Sequence, residues 1–298
     1  MEAEQYRRIS RLVDQLCPHG RRSRQQFSDA SIVKVYFFTT HNDRAVNWAC
    51  QPEHWPESLR PFNLPSQATM SRRLRSVGVL QLIDRIMVTL AEKLGEGAVK
   101  SIDSKPLRVG CYSRDRDAKR GRAGRGEMAR GYKLHTITCG EAFKHFTILP
   151  MNENDQVGAA MLLPRLSEEP RGYGYVTADN GYDANPVYLH AAGANHQLIA
   201  PPRRANAEVR DTRRNSAERI RSLELCANPL AHCGLGENLG WQLLRERKQI
   251  ERNLGNAAMD GLFAPPPWVR TPHRVATWVA AKLIQRMMRQ LEIKRLRA

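Results

Sequence analysis

Apolar residues in the first third of the chain recur at the spacing of an α-helix. One set follows Ser28 and Asp29, either of which can cap a helix. Its apolar members are Ile32, Val33, Tyr36 and Phe37. A second set consists of Val79, Leu82, Ile83, Ile86 and Leu90. Ser66 can cap a short basic helix over 66–75. We therefore predict a small helical domain over residues 1–97.

The pattern changes at Val99, where short extended segments replace the helical spacing. The predicted strands cover 99–103, 133–138, 145–149, 173–178 and 197–200, and the predicted helices cover 155–166, 185–194 and 241–254. This order indicates an α/β domain over residues 98–298. A ligand site then belongs at the carboxyl ends of strands, where Asp103 and Asp179 are both expected. The amphipathic segment 275–287 predicts a terminal helix packed on the sheet.

The chain is strongly basic along its whole length. It has 47 Lys and Arg against 30 Asp and Glu, a net charge of +17 over 298 residues. A spread positive field suggests a polyanionic partner. Charge alone leaves open a basic protein kept soluble by its charge, or a ribosome-associated protein. It therefore indicates nucleic acid and says nothing about chemistry.

Arginines cluster in three places that we predict to contact DNA. Arg72 and Arg73 lie on the short helix, which suits either a helix-turn-helix reader of the major groove or a bundle with a solvated arginine face. The stretch 114–131 is rich in Gly and Arg, which predicts an exposed loop or ribbon, and an Arg-rich insertion lies near 203–235. Simple solvent exposure is the alternative for both stretches. The predicted contacts there are Arg120, Arg122, Arg125, Arg203 and Arg204.

The sequence gives no sign of a membrane-spanning segment or of a disulfide framework. No segment approaches the roughly 18 apolar residues that span a bilayer, and residues 1–5 do not resemble a signal peptide. We therefore expect a cytoplasmic protein that does not enter the membrane. Cys226, His232 and Cys233 lie close together, but a fourth ligand is not apparent, so we expect reduced or buried thiols rather than a zinc site.

Three acidic residues stand out against this background: Asp103, Asp179 and Glu251. Hard divalent cations prefer oxygen ligands. Two such ions about 4 Å apart let one activate the attacking water or 3′-hydroxyl while the other stabilises the leaving oxygen. In such a site Asp103 would bridge both ions, and Asp179 and Glu251 would each complete one. A lone Asp at a strand end is usually a turn or cap residue, so the hypothesis depends on all three together.

The segments around these residues resemble the DDE transposases of bacterial insertion sequences, whose catalytic domain has a ribonuclease H-like fold. Residues 101–105 (SIDSK) are similar to the first-aspartate strand of that family, and 131–135 (GYKLH) to the strand after it. Residues 177–183 (TADNGYD) match its second-aspartate motif AD-x-GYD, which is quite specific. Residues 247–252 (RKQIER) resemble its R-x-x-IER helix, which carries the third carboxylate. The likeness covers most of the chain and includes 42–74.

The resemblance implies a ribonuclease H-like mixed sheet flanked by helices, preceded by a small helical domain. It implies metal-dependent cleavage of DNA at the ends of an insertion sequence, then attack of a 3′-hydroxyl on target DNA. The implied cofactor is Mg²⁺, as two ions, with Mn²⁺ able to substitute. The implied partner is double-stranded DNA bound by a homodimer, because two ends are paired. The implied location is the bacterial cytoplasm, at the nucleoid.

The resemblance also assigns DNA contacts near the proposed site. Arg247 looks like the arginine of the family's Tyr-Arg-Glu-Lys signature, and Lys133 is expected to line the site and contact DNA. Leu244 replaces the tyrosine and Ala258 stands where the lysine would be counted, so the contacts of those two positions are not carried over. The other candidates to line the site, each with an alternative as a strand or turn residue, are His135 and Asp183.

Two further functions are compatible with the sequence. One is a transposase-derived DNA-binding protein that no longer cuts, and the other is a nuclease on the same fold that only hydrolyses DNA. The presence of all three carboxylates favours the active transposase. Glu246 is a substitute candidate for Glu251, but it lies five residues earlier and would point to a different side of the helix.

Overall fold

The structure is a computed structural model that describes residues 3–17, 26–110, 113–124, 126–169, 172–203, 214–227 and 238–297. It forms two compact units, Met1–Leu94 with Pro265–Ala298, and Gly95–Ala264. The α-helices of the described residues are α1 (Ala3–Leu16), α2 (Asp29–His41), α3 (Val46–Ala49), α4 (Gln67–Arg73), α5 (Val77–Leu94), α6 (Asp155–Leu162), α7 (Asn185–Gly193), α8 (Ala217–Ala227), α9 (Leu239–Met259) and α10 (Pro272–Arg297). The strands are β1 (Val99–Arg108), β2 (Lys119–Gly124), β3 (Glu127–Cys139), β4 (Ala142–Pro150), β5 (Gly174–Thr177) and β6 (His196–Ile199). Short 3₁₀ turns cover Pro52–His54, Glu57–Leu59, Leu163–Glu168 and Asn180–Tyr182. Within this described part, no helix is both long and apolar enough to cross a membrane.

Side-chain caps start the helices of the helical unit where the sequence predicted. The hydroxyl of Ser28 accepts a hydrogen bond from the Ser31 amide at 3.0 Å, and the hydroxyl of Ser66 accepts one from Thr69 at 3.2 Å. Each bond satisfies an amide that the first turn of a helix leaves without a partner. The predicted starts of α2 and α4 are therefore confirmed.

The terminal helix α10 packs against α5 and α2, not against the sheet as predicted. Its buried apolar residues include Val275, Val279, Leu283 and Met287. The prediction was wrong because an amphipathic pattern shows that a helix has a partner without showing which one. Residues 265–298, which we placed in the catalytic domain, consequently group with the N-terminal helices.

One mixed sheet of six strands organises the second unit within the described residues. β3 pairs antiparallel with β1 on one side, and with β4 and β2 at its two ends on the other. β5 pairs parallel with β1 and with β6. The order β4-β3-β1-β5-β6, three antiparallel strands followed by two parallel ones, is ribonuclease H-like. The predicted fold class, an α/β mixed sheet flanked by helices, is confirmed.

Helices cover both faces of this sheet. Ile102 and Val176 belong to a buried cluster that also includes residues of α6 and α7. Val99 and Tyr175 pack instead with the cluster of residues from α8 and α9. Because side chains alternate along a strand, Ser101 and Asp103 share the face of Val99. Asp103 is therefore on the α9 side of the sheet, where side chains of α9 can reach it.

Candidate active site

Strand register sets Asp103 and Asp179 at equivalent positions on neighbouring strands. Ser101 is opposite Thr177 in the parallel pairing of β1 with β5, and each aspartate lies two residues beyond that pair. Asp179 follows the end of β5, as predicted. Asp103 does not lie at a strand end, because β1 continues to Arg108 through its antiparallel pairing with β3. The pairing with β5 ends at Ser101, so the site forms where that neighbour stops.

Asp103 is the most enclosed of the three predicted carboxylates, with its side chain 7% exposed. Its Oδ1 accepts a hydrogen bond from the Ser104 amide at 2.8 Å. Its Oδ2 lies 3.5 Å from Lys105 Nζ and has no hydrogen-bond partner among the described residues. Burial raises the pKa of Asp103, and the Lys105 ammonium opposes that rise. This buried oxygen has an ion pair with Lys105 but no hydrogen bond, so it can still accept a donor or bind a cation.

Asp179 shapes the turn that follows it. Its Oδ1 accepts a hydrogen bond from the Gly181 amide at 2.8 Å, which caps the 3₁₀ turn Asn180–Tyr182. A Cβ at residue 181 would lie 2.8 Å from that same oxygen, so any larger residue there would displace the Asp179 carboxylate. The side chain of Tyr182 is fully buried. The motif around Asp179 therefore holds one carboxylate oxygen in place and leaves the other available.

Asp183, a candidate site residue, is a buried anchor of this turn. Its two oxygens accept hydrogen bonds from Arg219 Nε and Nη2, both at 2.8 Å, and also from the Tyr188 hydroxyl at 3.1 Å. The Arg203 amide donates a further bond to Asp183 at 2.9 Å. The pairing raises the pKa of Arg219. Arg219 was missed from sequence, because one arginine of a basic stretch carries no sign that it will be buried.

Arg203 also holds this turn. Its guanidinium donates to the carbonyl oxygens of Asn180 at 3.0 Å and Gly181 at 2.6 Å. The guanidinium N–H groups in these bonds are the donors that the sequence predicted to bind DNA phosphate. The arrangement ties the start of the Arg-rich insertion to the segment that presents Asp179.

Arg247 and Glu251 both lie on helix α9, and the guanidinium of Arg247 links Glu251 to the two aspartates. Arg247 Nη1 donates to Glu251 Oε1 at 2.9 Å, one helical turn away. Arg247 Nη2 lies 4.0 Å from Asp103 Oδ1 and 4.0 Å from Asp179 Oδ2. A single guanidinium thus faces all three predicted carboxylates. Glu246, the substitute candidate, is exposed on α9.

The chemistry of these donors fits a hard divalent cation. In the described part of the chain, no three His, Cys, Asp or Glu side chains already lie at metal-binding spacing. The guanidinium of Arg247 stands between the carboxylates instead. Carboxylate oxygens are the ligands that Mg²⁺ and Mn²⁺ prefer, and the buried Oδ2 of Asp103 is an acceptor that such an ion would satisfy.

A fourth carboxylate, Asp155 in the first turn of α6, lies beside this group. Its Oδ1 accepts a hydrogen bond from Ser104 Oγ at 2.7 Å and lies 3.3 Å from Lys133 Nζ and 3.9 Å from His135 Nδ1. Lys133 also donates to the carbonyl of Glu153 at 2.7 Å, so its ammonium is already held by protein groups. Sequence reasoning took Asp155 only as a helix start, since an acid in a first turn is common.

His135 is fully buried, and neither ring nitrogen has a hydrogen-bond partner among the described residues. Burial lowers the pKa of His135 to about 4, opposed by the nearby carboxylate of Asp155. The ring is therefore neutral at neutral pH. It packs over Gly158 of α6, where an added Cβ would overlap the ring.

The arginines predicted to bind DNA fall into different environments. Arg120 and Arg122 are exposed on β2, so the Gly- and Arg-rich stretch forms a ribbon, one of the two predicted forms. Arg72 is exposed on α4. Arg73 is buried and donates to Asp29 at 2.5 Å, so we correct its predicted DNA contact to a structural role. Two predicted contacts lie outside the described residues: Arg125 and Arg204.

Leu244 and Cys226 both take part in apolar packing, and a buried thiol is what the sequence predicted for Cys226. Leu244, at the position of the signature tyrosine, packs against the apolar cluster that contains Leu243 and Cys226. Cys226 is buried, and burial raises the pKa of its thiol to about 11. His232 and Cys233 lie outside the described residues.

A model of the transposase DDE domain family matches residues 95–260, which is more than half of the chain. The chain belongs to this family. The matched span contains Asp103, Asp179 and Glu251 of this transposase. No curated protein matches its sequence.

The solved structures that match this chain include two transposases. This chain is 11% identical to piggyBac transposase in a synaptic complex with hairpin DNA, with a TM-score of 0.46. The match covers 98% of this chain and 73% of the piggyBac chain. This chain is 15% identical to the Mos1 transposase of a pre-cleavage transpososome, over 82% and 81% of the two chains, with a TM-score of 0.24. A Mos1 mariner paired-end complex with Mn gives the same identity, coverage and TM-score. The strand order β4-β3-β1-β5-β6 identifies the fold without these distant likenesses.

Proposed function

We propose that this transposase is an active, metal-dependent enzyme that cleaves DNA at the ends of an insertion sequence and transfers the strand into target DNA. The observation that carries the proposal is the approach of Asp103, Asp179 and Glu251 to one guanidinium. Three acidic side chains gathered in a protein of net charge +17 are what a site for divalent cations requires. We infer that these three residues are its metal ligands.

The protein contributes position and charge to this chemistry. Bound Mg²⁺, or Mn²⁺ in its place, would activate the attacking hydroxyl and stabilise the leaving oxygen. Asp103 is held in the middle of β1 and Asp179 by its bond to Gly181, so both present oxygens from rigid backbone. Glu251 reaches the group from α9, and its side chain is half exposed, so the group is open to solvent on that side.

We propose that DNA phosphates lie along the exposed arginines of each unit. Arg120 and Arg122 on β2 serve the catalytic unit, and Arg72 on α4 serves the helical unit, which would be the DNA-binding domain. Pairing of two element ends requires two active sites, so the working form would be a homodimer on double-stranded DNA. We propose that it acts at the bacterial nucleoid, in the cytoplasm.

A cleavage assay on native DNA tests the proposal. A plasmid carrying the gene and its flanking sequence is incubated with Mg²⁺ or Mn²⁺ and wild type, Asp103→Asn, Asp179→Asn or Glu251→Gln. Glu246→Gln is the matched control, because this exposed acid lies on the same helix as Glu251. We expect breaks at the element ends and joined products in wild type and control. Each active-site variant should lose at least about 10³-fold in rate while keeping its circular dichroism spectrum.

The outcomes separate the three candidate functions. Cleavage at the ends followed by joining supports the transposase. Cleavage without joined products would favour the nuclease. If wild type binds the ends and cuts nothing with either metal, the inactive DNA-binding protein becomes the better description.

A further inference from the structure

Arg247 has a position that DNA binding does not explain. Its Nη1 is committed to Glu251 at 2.9 Å, while its Nη2 lies 4.0 Å from both Asp103 and Asp179. The two longer distances are ion-pair contacts and exceed hydrogen-bond length. Its Nε is buried and has no hydrogen-bond partner among the described residues. The guanidinium is therefore central to the carboxylates but tightly bonded to only one of them.

The charges explain why a cation belongs there. Asp103 is almost fully buried, and Asp103 and Asp179 both lie 4.0 Å from the same nitrogen, Arg247 Nη2. Three carboxylates around one point repel one another unless positive charge separates them. Arg247 supplies one positive charge from within the group, and Lys105 Nζ approaches Asp103 from another direction at 3.5 Å. One guanidinium offsets only part of three negative charges, so the group keeps its attraction for a divalent ion.

We propose that Arg247 is an exchangeable counter-ion of the metal site. It holds the three carboxylates together before metal is bound, and a divalent cation must displace its guanidinium to reach Asp103 and Asp179. The inference rests on the proposed function, because it takes these carboxylates to be the metal ligands. Metal and guanidinium compete for the same oxygens, so each lowers the affinity of the site for the other.

Removal of Arg247 should change metal affinity in opposite directions for an exchangeable counter-ion and for a positioning residue. A residue that only positions Glu251 would, when removed, weaken metal binding. An exchangeable counter-ion would, when removed, strengthen it, because the metal no longer displaces a resident charge. The sign of the change in Mn²⁺ affinity therefore decides between the two roles.

The experiment measures Mn²⁺ binding to the full-length protein without DNA, from the electron paramagnetic resonance signal of free Mn²⁺. Wild type is compared with Arg247→Gln, which removes the charge, and with Arg247→Lys, which keeps it. Arg252→Gln is the matched control, since Arg252 is exposed on the same helix and donates to Gln249. We expect Arg247→Gln to lower the Kd for Mn²⁺ at least about fivefold. Arg247→Lys and the control should stay near wild type.

A second measurement guards against misfolding of the glutamine variant. In Arg247→Ala, added ethylguanidinium should fill the vacated position and raise the apparent Kd for Mn²⁺ competitively, and it should leave wild type unchanged. An equal or weaker affinity in a folded Arg247→Gln, or no effect of ethylguanidinium on Arg247→Ala, overturns the inference. If Asp103→Asn and Asp179→Asn bind Mn²⁺ as wild type does, the carboxylates are not the metal site, and the proposed function fails along with the inference.

Discussion

The hydroxyls of Ser101 and Thr177 meet at 2.7 Å across the parallel pairing of β1 and β5. Both side chains are buried, and Thr177 is also 3.2 Å from the carbonyl of Lys100. The contact fixes the register directly before the two strands carry Asp103 and Asp179 forward. A slip of one residue would turn one aspartate to the opposite face of the sheet.

Thr177→Val is expected to destabilise the protein by about 1–3 kcal/mol, because it keeps the shape of the side chain and leaves the buried Ser101 hydroxyl unpaired. The free energy of unfolding in urea measures the effect. Thr147→Val is the matched control, since Thr147 lies in β4 and is only half buried. Equal stabilities of the two variants would contradict the importance of this pair.

Asp183→Asn should cost about 3–5 kcal/mol, because it leaves Arg219 facing a neutral group in a mostly buried pair. A thermal unfolding experiment should show a large loss in melting temperature. Asp84→Asn, at an exposed position of α5, should change the stability by less than about 0.5 kcal/mol. A small shift for Asp183→Asn would mean that the turn after Asp179 is held by other contacts.

Stability should fall in mild acid because of His135. Its pKa is lowered to about 4 in the folded protein, below the value of 6.5 for a free ring. The unfolded chain therefore takes up the proton first, and the contribution is fully present above pH 6.5 and lost as the pH falls towards 4. Wild type should lose about 2 kcal/mol between pH 7.5 and 5 through this group. His135→Gln should lose less over the same range in urea titrations, and parallel losses would refute the assignment.

Two helical glycines should respond in opposite ways to alanine. Gly158→Ala places a Cβ against the ring of His135 and should destabilise by about 1–3 kcal/mol. Gly255→Ala meets no atom within 4 Å and should stabilise α9 by up to about 1 kcal/mol. Differential scanning calorimetry distinguishes them by the direction of the change in Tm. A gain in Tm for Gly158→Ala would show that the ring moves easily.

The neighbouring arginines of α4 should separate DNA binding from stability. Arg72→Gln should weaken DNA binding and reduce the slope of log affinity against log salt by about 0.9 if one phosphate contact is lost. Arg73→Gln should instead cost about 2 kcal/mol of stability, because it breaks the pair with Asp29. Fluorescence anisotropy at several salt concentrations and urea unfolding give the two readouts. Unchanged binding by Arg72→Gln would remove α4 from the proposed DNA surface.

The sequence by itself determined the local structure and the fold class. Alternation predicted the strands that became β3 and β4, and the caps at Ser28 and Ser66 predicted the starts of helices, because these signals act between residues close in the chain. The motif around Asp179 indicated the family for the same reason. That Asp103, Asp179 and Glu251 are catalytic stays a prediction.

Only the tertiary structure decided which charged residues pair with other groups of the protein. Arg73, Arg203 and Arg219 look alike in a basic sequence, yet each bonds to a partner distant in the chain. The family resemblance singled out Arg247, but only the fold shows that it lies near Asp103 and Asp179. The sequence shows that α10 has an apolar face but not which element that face packs against, and the structure shows that its partners are α5 and α2. Burial and pairing depend on contacts between remote segments, and a one-dimensional pattern of charge or hydropathy does not contain those contacts.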